Sequence, residues 1–554
     1  MRKAEMLRLF ILLFIISLLF YPLFSCRGGA PSVTGMLDSI DSESIRAHLR
    51  FLAHDLLEGR GTGQRGGELA AHYIAEQFAL VGLKPALEDG SYLQPVPLVG
   101  VTTDPSSSFS IRRGQRRIPI KYLNDYVLWT EAQREKVSAR GELVFVGYGI
   151  IAPEYQWDDY KGVDVKDKIL VMVVNDPPSE DPNLFGGKAL TYYGRWTYKY
   201  EIAAKVGAKG AILIHTDESA GYGWNVVRNS WGREQTFVGL DETSPPALAL
   251  AGWVTEATGR ELLKLAGQDF DQLRDAAANR DFRPITLGLT AEAEITSKVR
   301  DIITANVIGI IEGTDRKDEL VVYTSHWDHM GIAEPVNGDS IYNGAVDNAS
   351  GVAALIEMAR ALANSPLKPR RTVMFISTTC EEGGLRGAQY YAEHPLYPSG
   401  KTAGNINMDA VSVLGRTVDF SFLGAERGTL WPTAEKVAQE MEITLVPDPT
   451  PEQGFYYRSD HFPFAKVGIP AVSMRQGEKY VGRPPEWGVE QREDYRKNRY
   501  HQPSDEYDPS WDLTGAAQMA KVSLLFGWYI ANMDEMPTWN PGDEFAQIRE
   551  ESLK

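Results

Sequence analysis

Hydrophobic positions change their period along the chain, and the changes divide it. From Ser42, IRAHLRFLAHDLL and then GELAAHYIAEQFALVGL carry apolar residues at helical spacing, which predicts two amphipathic helices joined by the glycine-rich EGRGTGQRGG. From Ile118 to Arg283 the texture becomes strand-like, with ELVFVGYGI, DKILVMVV and GAILIHT set off by Asp, Pro and Gly clusters. Beyond Thr304, buried-looking strands alternate with helices: NVIGIIEG, LVVYTSH, SGVAALIEMARALANS, TVMFISTT and GNINMDAV. Continuous apolar runs separated by amphipathic helices predict buried strands in a doubly wound α/β sheet. The helix from Ser350 has Asn348 and Ser350 as candidate caps and Val352, Leu355, Ile356 and Ala359 on one face. The organisation expected is one discontinuous domain, 36–117 with 284–535, interrupted by a strand-rich insertion at 118–283 and followed by a tail at 536–554.

The first residues read differently. Arg2 and Lys3 precede an almost wholly apolar Leu7–Phe24, the pattern of an export signal. Leu23, Phe24, Ser25 and Cys26 resemble a bacterial lipobox, in which cleavage before the cysteine leaves it to be lipidated; Phe24 is bulkier than usual there. The expectation is a signal over 1–26 and an exported protein tethered to the cell-envelope membrane through Cys26, the alternative being an uncleaved anchor. The other cysteine is Cys380, so a lipidated Cys26 leaves no intramolecular disulfide.

Length and charge narrow the possibilities. At 554 residues the chain exceeds one ordinary core. Its 57 basic and 74 acidic residues give a net charge of -17, which disfavours nucleic acid as a partner.

The chemistry-bearing residues fall where the strands end. His326 closes LVVYTSH, Asp347 lies in the loop before a helix, Glu381 and Glu382 follow TVMFISTT, and Asp409 follows GNINM. In open α/β sheets the carboxyl edge forms the ligand crevice, so these segments can converge. Imidazole and carboxylate are ligands that zinc accepts, and two histidines with three carboxylates suit a pair of ions sharing one bridging carboxylate. Cys380, beside two glutamates, reads as a buried small residue rather than a nucleophile.

In their order along the chain, SHWDHMG, GDSIYNGAVDNASGVAALIEMAR, STTCEEGGLRGAQYY, NINMDAV, YYRSDHFPFAKVGIPA and YHQPSDE resemble the M28 family of zinc peptidases. FLAHDLLEGRGTG is similar to the family's lead-in, and KYEIAAKVGAKGAILIHT with PPALALAGWVTEATGRELL resembles the protease-associated domain inserted into several peptidases. The resemblance implies a doubly wound mixed sheet of the phosphorylase/hydrolase-like type. It also implies two zinc ions, one held by His326 and Asp409 and the other by Glu382 and His501, with Asp347 bridging. Glu381 would be general base and acid, Asp328 would orient His326, and Tyr457 and His461 would face the substrate, although aromatic residues there also suit packing.

The function so implied is hydrolysis of the N-terminal bond of peptides. The alternatives are a carboxypeptidase or dipeptidase on the same scaffold, for which Arg458, Arg475 or Arg483 could clamp a carboxylate, and a non-catalytic binding protein of the same fold. The charged loop Arg475–Arg499 departs from the family pattern and is where specificity is expected.

Overall fold

The computed structural model describes residues 32–220, 222–242 and 244–554. The expected export signal and Cys26 lie outside them. Among the described residues no helix is long and apolar enough to cross a membrane.

Four parallel strands form the centre of the larger sheet: Arg371–Thr378, Arg316–His326, Thr402–Met408 and Ala471–Gln476, in that spatial order. Antiparallel neighbours extend it on both sides, Ile285–Ile311 and Leu93–Thr103 on one and Asp419–Leu423 on the other. The result is a mixed sheet, and period-2 alternation assigns its side chains to two cores. Val307, Val321, Tyr323, Val373 and Phe375 face one core with helices Ser42–Leu52, Arg65–Leu80, Ser350–Asn364 and Thr514–Asn532. Ile308, Leu320, Val322, Met374 and Ile376 face the other, with helices Arg386–Glu393 and His461–Lys466. Both faces being covered explains why the middles of these strands are rich in apolar residues on both sides. Trp539, Phe545 and Arg549 in the last nineteen residues are buried as well.

A second sheet stacks Lys136–Phe145, Ile169–Val173, Gly210–His215 and Leu250–Thr255 in parallel, with Tyr126–Trp129 antiparallel at its edge. Its core draws on residues between Ile111 and Ile295. The two sheets share the 27-residue strand Ile285–Ile311. Its first half pairs with Lys136–Phe145, and Ser297–Val307 then pairs with Leu93–Thr103.

Two expectations need correction. The Ser350 helix is not capped by the Ser350 side chain, which donates instead to Val346 O; Asn348 Oδ1 accepts from Gly351 N. The segment 475–499 is not all loop, since Trp487–Asn498 is helical with only Gly488 buried. A helix that is polar all round has no apolar stripe for periodicity to report.

Candidate metal centre

The four segments converge at the carboxyl edge as strand topology requires. The register places Ser325 and His326 opposite Ser377 and Thr378, so the chain turns into Glu381 and Glu382 beside the histidine. His326 Nε2 lies 3.3 Å from Asp347 Oδ1 and 3.3 Å from Asp409 Oδ1. His501 Nε2 lies 3.4 Å from Asp347 Oδ2 and 3.1 Å from Glu382 Oε2. The two oxygens of Asp347 thus face two different histidines. Glu381 joins the first cluster, with one ligand-capable atom of each of His326, Glu381 and Asp409 within 4.8 Å of the others.

A second imidazole stands in the second cluster. His329 Nδ1 is 2.6 Å from Glu382 Oε1, yet the pair is not aligned for a hydrogen bond, and both ring nitrogens of this buried residue lack a hydrogen-bond partner. Gly344, at φ 53°, makes room for the ring: a Cβ there would sit 2.5 Å from His329 Cγ. From the sequence alone a structural role is the more natural one for His329, because Glu382 and Asp347 come beside it only in the fold.

The supports are equally specific. The Asp328 carboxylate does not take the hydrogen bond of His326; Nδ1 is 3.1 Å from the Asp328 main-chain oxygen and 3.8 Å from Oδ1. That carboxylate accepts instead from Glu381 N at 3.0 Å and Thr62 Oγ1 at 3.1 Å, and so holds the Glu381 main chain rather than the His326 ring. Ser459 Oγ donates to Asp409 Oδ2 at 2.7 Å and accepts from Asn407 Nδ2. The Asp505 carboxylate accepts from Val346 N at 3.0 Å and Asp347 N at 3.1 Å. Arg60, fully buried, donates to the carbonyls of Leu52, Trp327, Asn343 and Gly344 and ties both ligand loops to the lead-in. Asp505 stands inside YHQPSDE and Arg60 inside EGRGTG, so both motifs carried signals beyond the residues singled out.

Tyr457 and His461 sit elsewhere in the network. The Tyr457 hydroxyl donates to Glu544 Oε1 at 2.8 Å and lies 3.3 Å from Arg427 Nη1. His461 is buried against Tyr456, ring centroids 4.7 Å apart, without a partner for either nitrogen. Burial first, then Arg475, pushes it down to about 3, so it is neutral. No hydrogen bond or ion pair among the described residues joins either side chain to the acidic cluster.

Charge in the cluster is unbalanced without cations. Burial opposes the charged form of His326, yet Glu381, Asp409 and Asp347 hold its pKa well above the ordinary imidazole value. Burial would raise Asp347, but His326 and His501 hold it well below the carboxylate range. Burial pushes Glu381 well up, with Asp409, Glu382 and Asp460 adding to the rise. Burial likewise raises the Cys380 thiol, which stays protonated. Four carboxylates gathered around imidazoles, with Glu382 Oε1 and both His329 nitrogens unpartnered, fit divalent cations that accept oxygen and nitrogen donors.

The fold and this cluster define the class: an α/β protein with a candidate two-cation centre at the carboxyl edge of its sheet. Residues 306–526 match the model of peptidase family M28. Aminopeptidase YwaD of Bacillus subtilis is 26% identical over 225 residues, 39% of this chain and 43% of that protein. Aminopeptidase NAALADL1 of Mus musculus is 32% identical over 127 residues, 22% of this chain and 16% of that protein. The matched stretch therefore spans less than half the length of either relative. Among solved structures, the aminopeptidase from Aneurinibacillus sp. strain AM-1 aligns over 92% of this chain and 98% of its own, at 19% identity and a TM-score of 0.47.

Proposed function

We propose that the chain is a co-catalytic two-zinc aminopeptidase. The observation that carries this reading is the placement of Asp347, whose two oxygens lie 3.3 and 3.4 Å from His326 Nε2 and His501 Nε2. One zinc would take His326, Asp409 and Asp347, and the other His501, Glu382 and Asp347, with His329 beside it. Two zinc ions so held would acidify a water and polarise the scissile carbonyl.

The remaining chemistry falls to the protein. Glu381, anchored through its N–H by Asp328, takes the proton of the attacking water and returns it to the leaving amine. The aminopeptidase names of the curated relatives support N-terminal cleavage. We read the unit around Ile111–Ile295 as a protease-associated insertion, and Cys26 as the point of attachment to the envelope membrane.

The test pairs one variant with one substrate comparison. Glu381→Gln should retain both equivalents of zinc and lose at least 100-fold in kcat, in the range for a general base. N-acetylated peptides should resist cleavage while C-amidated ones are cleaved. Substantial turnover by the variant, or the reverse blocking pattern, overturns the assignment.

A further inference from the structure

Away from the carboxyl edge the fold encloses a second cavity, of about 440 Å³. The strand Asp419–Leu423 runs antiparallel to Ala471–Gln476, so its end at Leu423 points away from the edge where the ligands gather. Three parts of the chain meet around that end. The insertion brings Tyr155 and Thr191, the loop Pro451–Tyr457 brings two tyrosines, and the last residues bring Asp543 and Glu544. Leu190 N donates to Pro451 O at 3.0 Å and holds the insertion against the loop. Neither Glu381 nor any of the proposed zinc ligands lines this cavity. Its size falls in the range of small-molecule sites.

The charge on its wall is one-sided. Four carboxylates line it, those of Glu426, Asp448, Asp543 and Glu544, against the single guanidinium of Arg427. Arg427 is already engaged: Nε lies 2.8 Å from Asp543 Oδ2 and Nη2 lies 2.8 Å from Glu544 Oε1, while Tyr456 and Phe545 cover the guanidinium at 4.9 and 5.1 Å. Glu426 and Asp448 accept only the main-chain N–H groups of Gly424 and Thr450, and among the described residues neither makes an ion pair. The Glu544 side chain is 5% exposed, and its Oε1 takes both Arg427 and the Tyr457 hydroxyl. Among the described residues no hydrogen bond reaches its Oε2. Burial pushes Glu544 up to about 7 and raises Glu426 as well, with Arg427 opposing both. Carboxylates so placed gain from an incoming cation. They do not converge as a metal site does, since among the described residues the sets of three ligand atoms within 4.8 Å of one another lie at the centre described above. A cation spread along a chain fits them better than a bare ion. Tyr155, Tyr456 and Tyr457 add aromatic surface, which attracts organic cations.

We propose that this cavity is a second binding site, for a small organic cation whose ammonium or guanidinium group meets Glu426, Asp448 and Oε2 of Glu544 and whose alkyl chain lies along the tyrosines. A ligand there would join the insertion, the sheet edge and the last residues of the chain. Two sources carry that chemistry, free amines and basic amino acids. A free amine suits the wall better, because an amino acid's own carboxylate would face the acidic residues while Arg427 is occupied. The site stands independently of the peptidase reading.

The experiment titrates agmatine, cadaverine, L-arginine and L-lysine into the zinc-loaded full chain by calorimetry, with L-norleucine as control, and follows thermal melts in parallel. One equivalent of agmatine or cadaverine should bind at least about tenfold more tightly than norleucine and raise Tm. Tenfold weaker binding of arginine and lysine identifies free amines as the ligand class, and equal binding identifies the basic amino acids. Glu426→Gln and Asp448→Asn keep an acceptor oxygen for their N–H partners, and each should weaken binding by roughly tenfold, the range for a charged contact. Ala189→Trp, which fills the cavity without changing its charge, should abolish binding. Should that variant fail to fold, the two rim variants decide the matter. Binding that survives Glu426→Gln and Asp448→Asn but disappears on removal of zinc is an amine at the metal centre and overturns the proposal. So does the absence of any cation binding below about 10 mM, or norleucine binding as tightly as agmatine.

Discussion

The Asp505 carboxylate accepts the main-chain N–H of Asp347 at 3.1 Å, so the residue placed to bridge two cations is held from behind by another carboxylate. Asp505 also takes the N–H of Val346 and the hydroxyl of Tyr495, on the helix that leads to His501. Asp505→Ala leaves two N–H groups of the ligand loop without their acceptor. The expected outcome is a tenfold to hundredfold weaker retention of zinc, read by chelator competition, the usual range for an outer support of a metal ligand.

His329 makes the two halves of the centre unequal. The half around His326 has one imidazole, whereas the half around Glu382 has His501 and, 2.6 Å from Oε1, His329. His329→Ala should weaken one of two cobalt equivalents by roughly tenfold or more and leave the other within a factor of about two, followed by visible absorption. Two unchanged binding steps would assign His329 to packing alone.

Arg60 is a structural test independent of metal. Its four carbonyl partners come from three segments of the chain, and a lysine lacks the fork to reach them. Arg60→Lys should cost roughly 2–4 kcal/mol of unfolding free energy, because buried carbonyls lose donors. Denaturant titration of metal-free protein measures it.

Much of this was legible in the sequence, for identifiable reasons. Strands buried on both faces are mostly apolar on both, so LVVYTSH and TVMFISTT announced themselves, and the ligands followed because strand ends are where a parallel sheet opens. What the chain hid was tertiary or unpatterned. His329 acquires meaning only beside Glu382, and the Asp328 carboxylate only once Glu381 N–H and Thr62 have claimed it. Ile285–Ile311 alternates buried and exposed in its first half and becomes continuously buried near its end, so its single identity as one strand was masked by its two environments.

Stability should also respond to pH through a residue outside the proposed ligand set. Burial pushes the Glu131 carboxyl up to about 7 from 4.5, although it accepts the N–H of Leu248. Between those values the unfolded chain has released a proton that the folded one retains, so this contribution is present in full below about pH 4.5 and is lost as pH rises through about 7. Glu131→Gln should therefore match the parent near pH 4.5 and exceed it at pH 8, by roughly 1–3 kcal/mol. Paired thermal melts at the two pH values check the sign.

The shared strand Ile285–Ile311 bears on how freely the two units can move against each other. Between Ser297 and Val307 it is laddered to Leu93–Thr103 at every position, so the junction of the two units is a stiff double-stranded beam rather than a tether. Rocking the insertion as a jaw would have to flex that beam along its whole length. Movement around the candidate metal centre is then left to lighter parts, chiefly the solvent-facing helix Trp487–Asn498, in which only Gly488 is buried and which leads directly to His501.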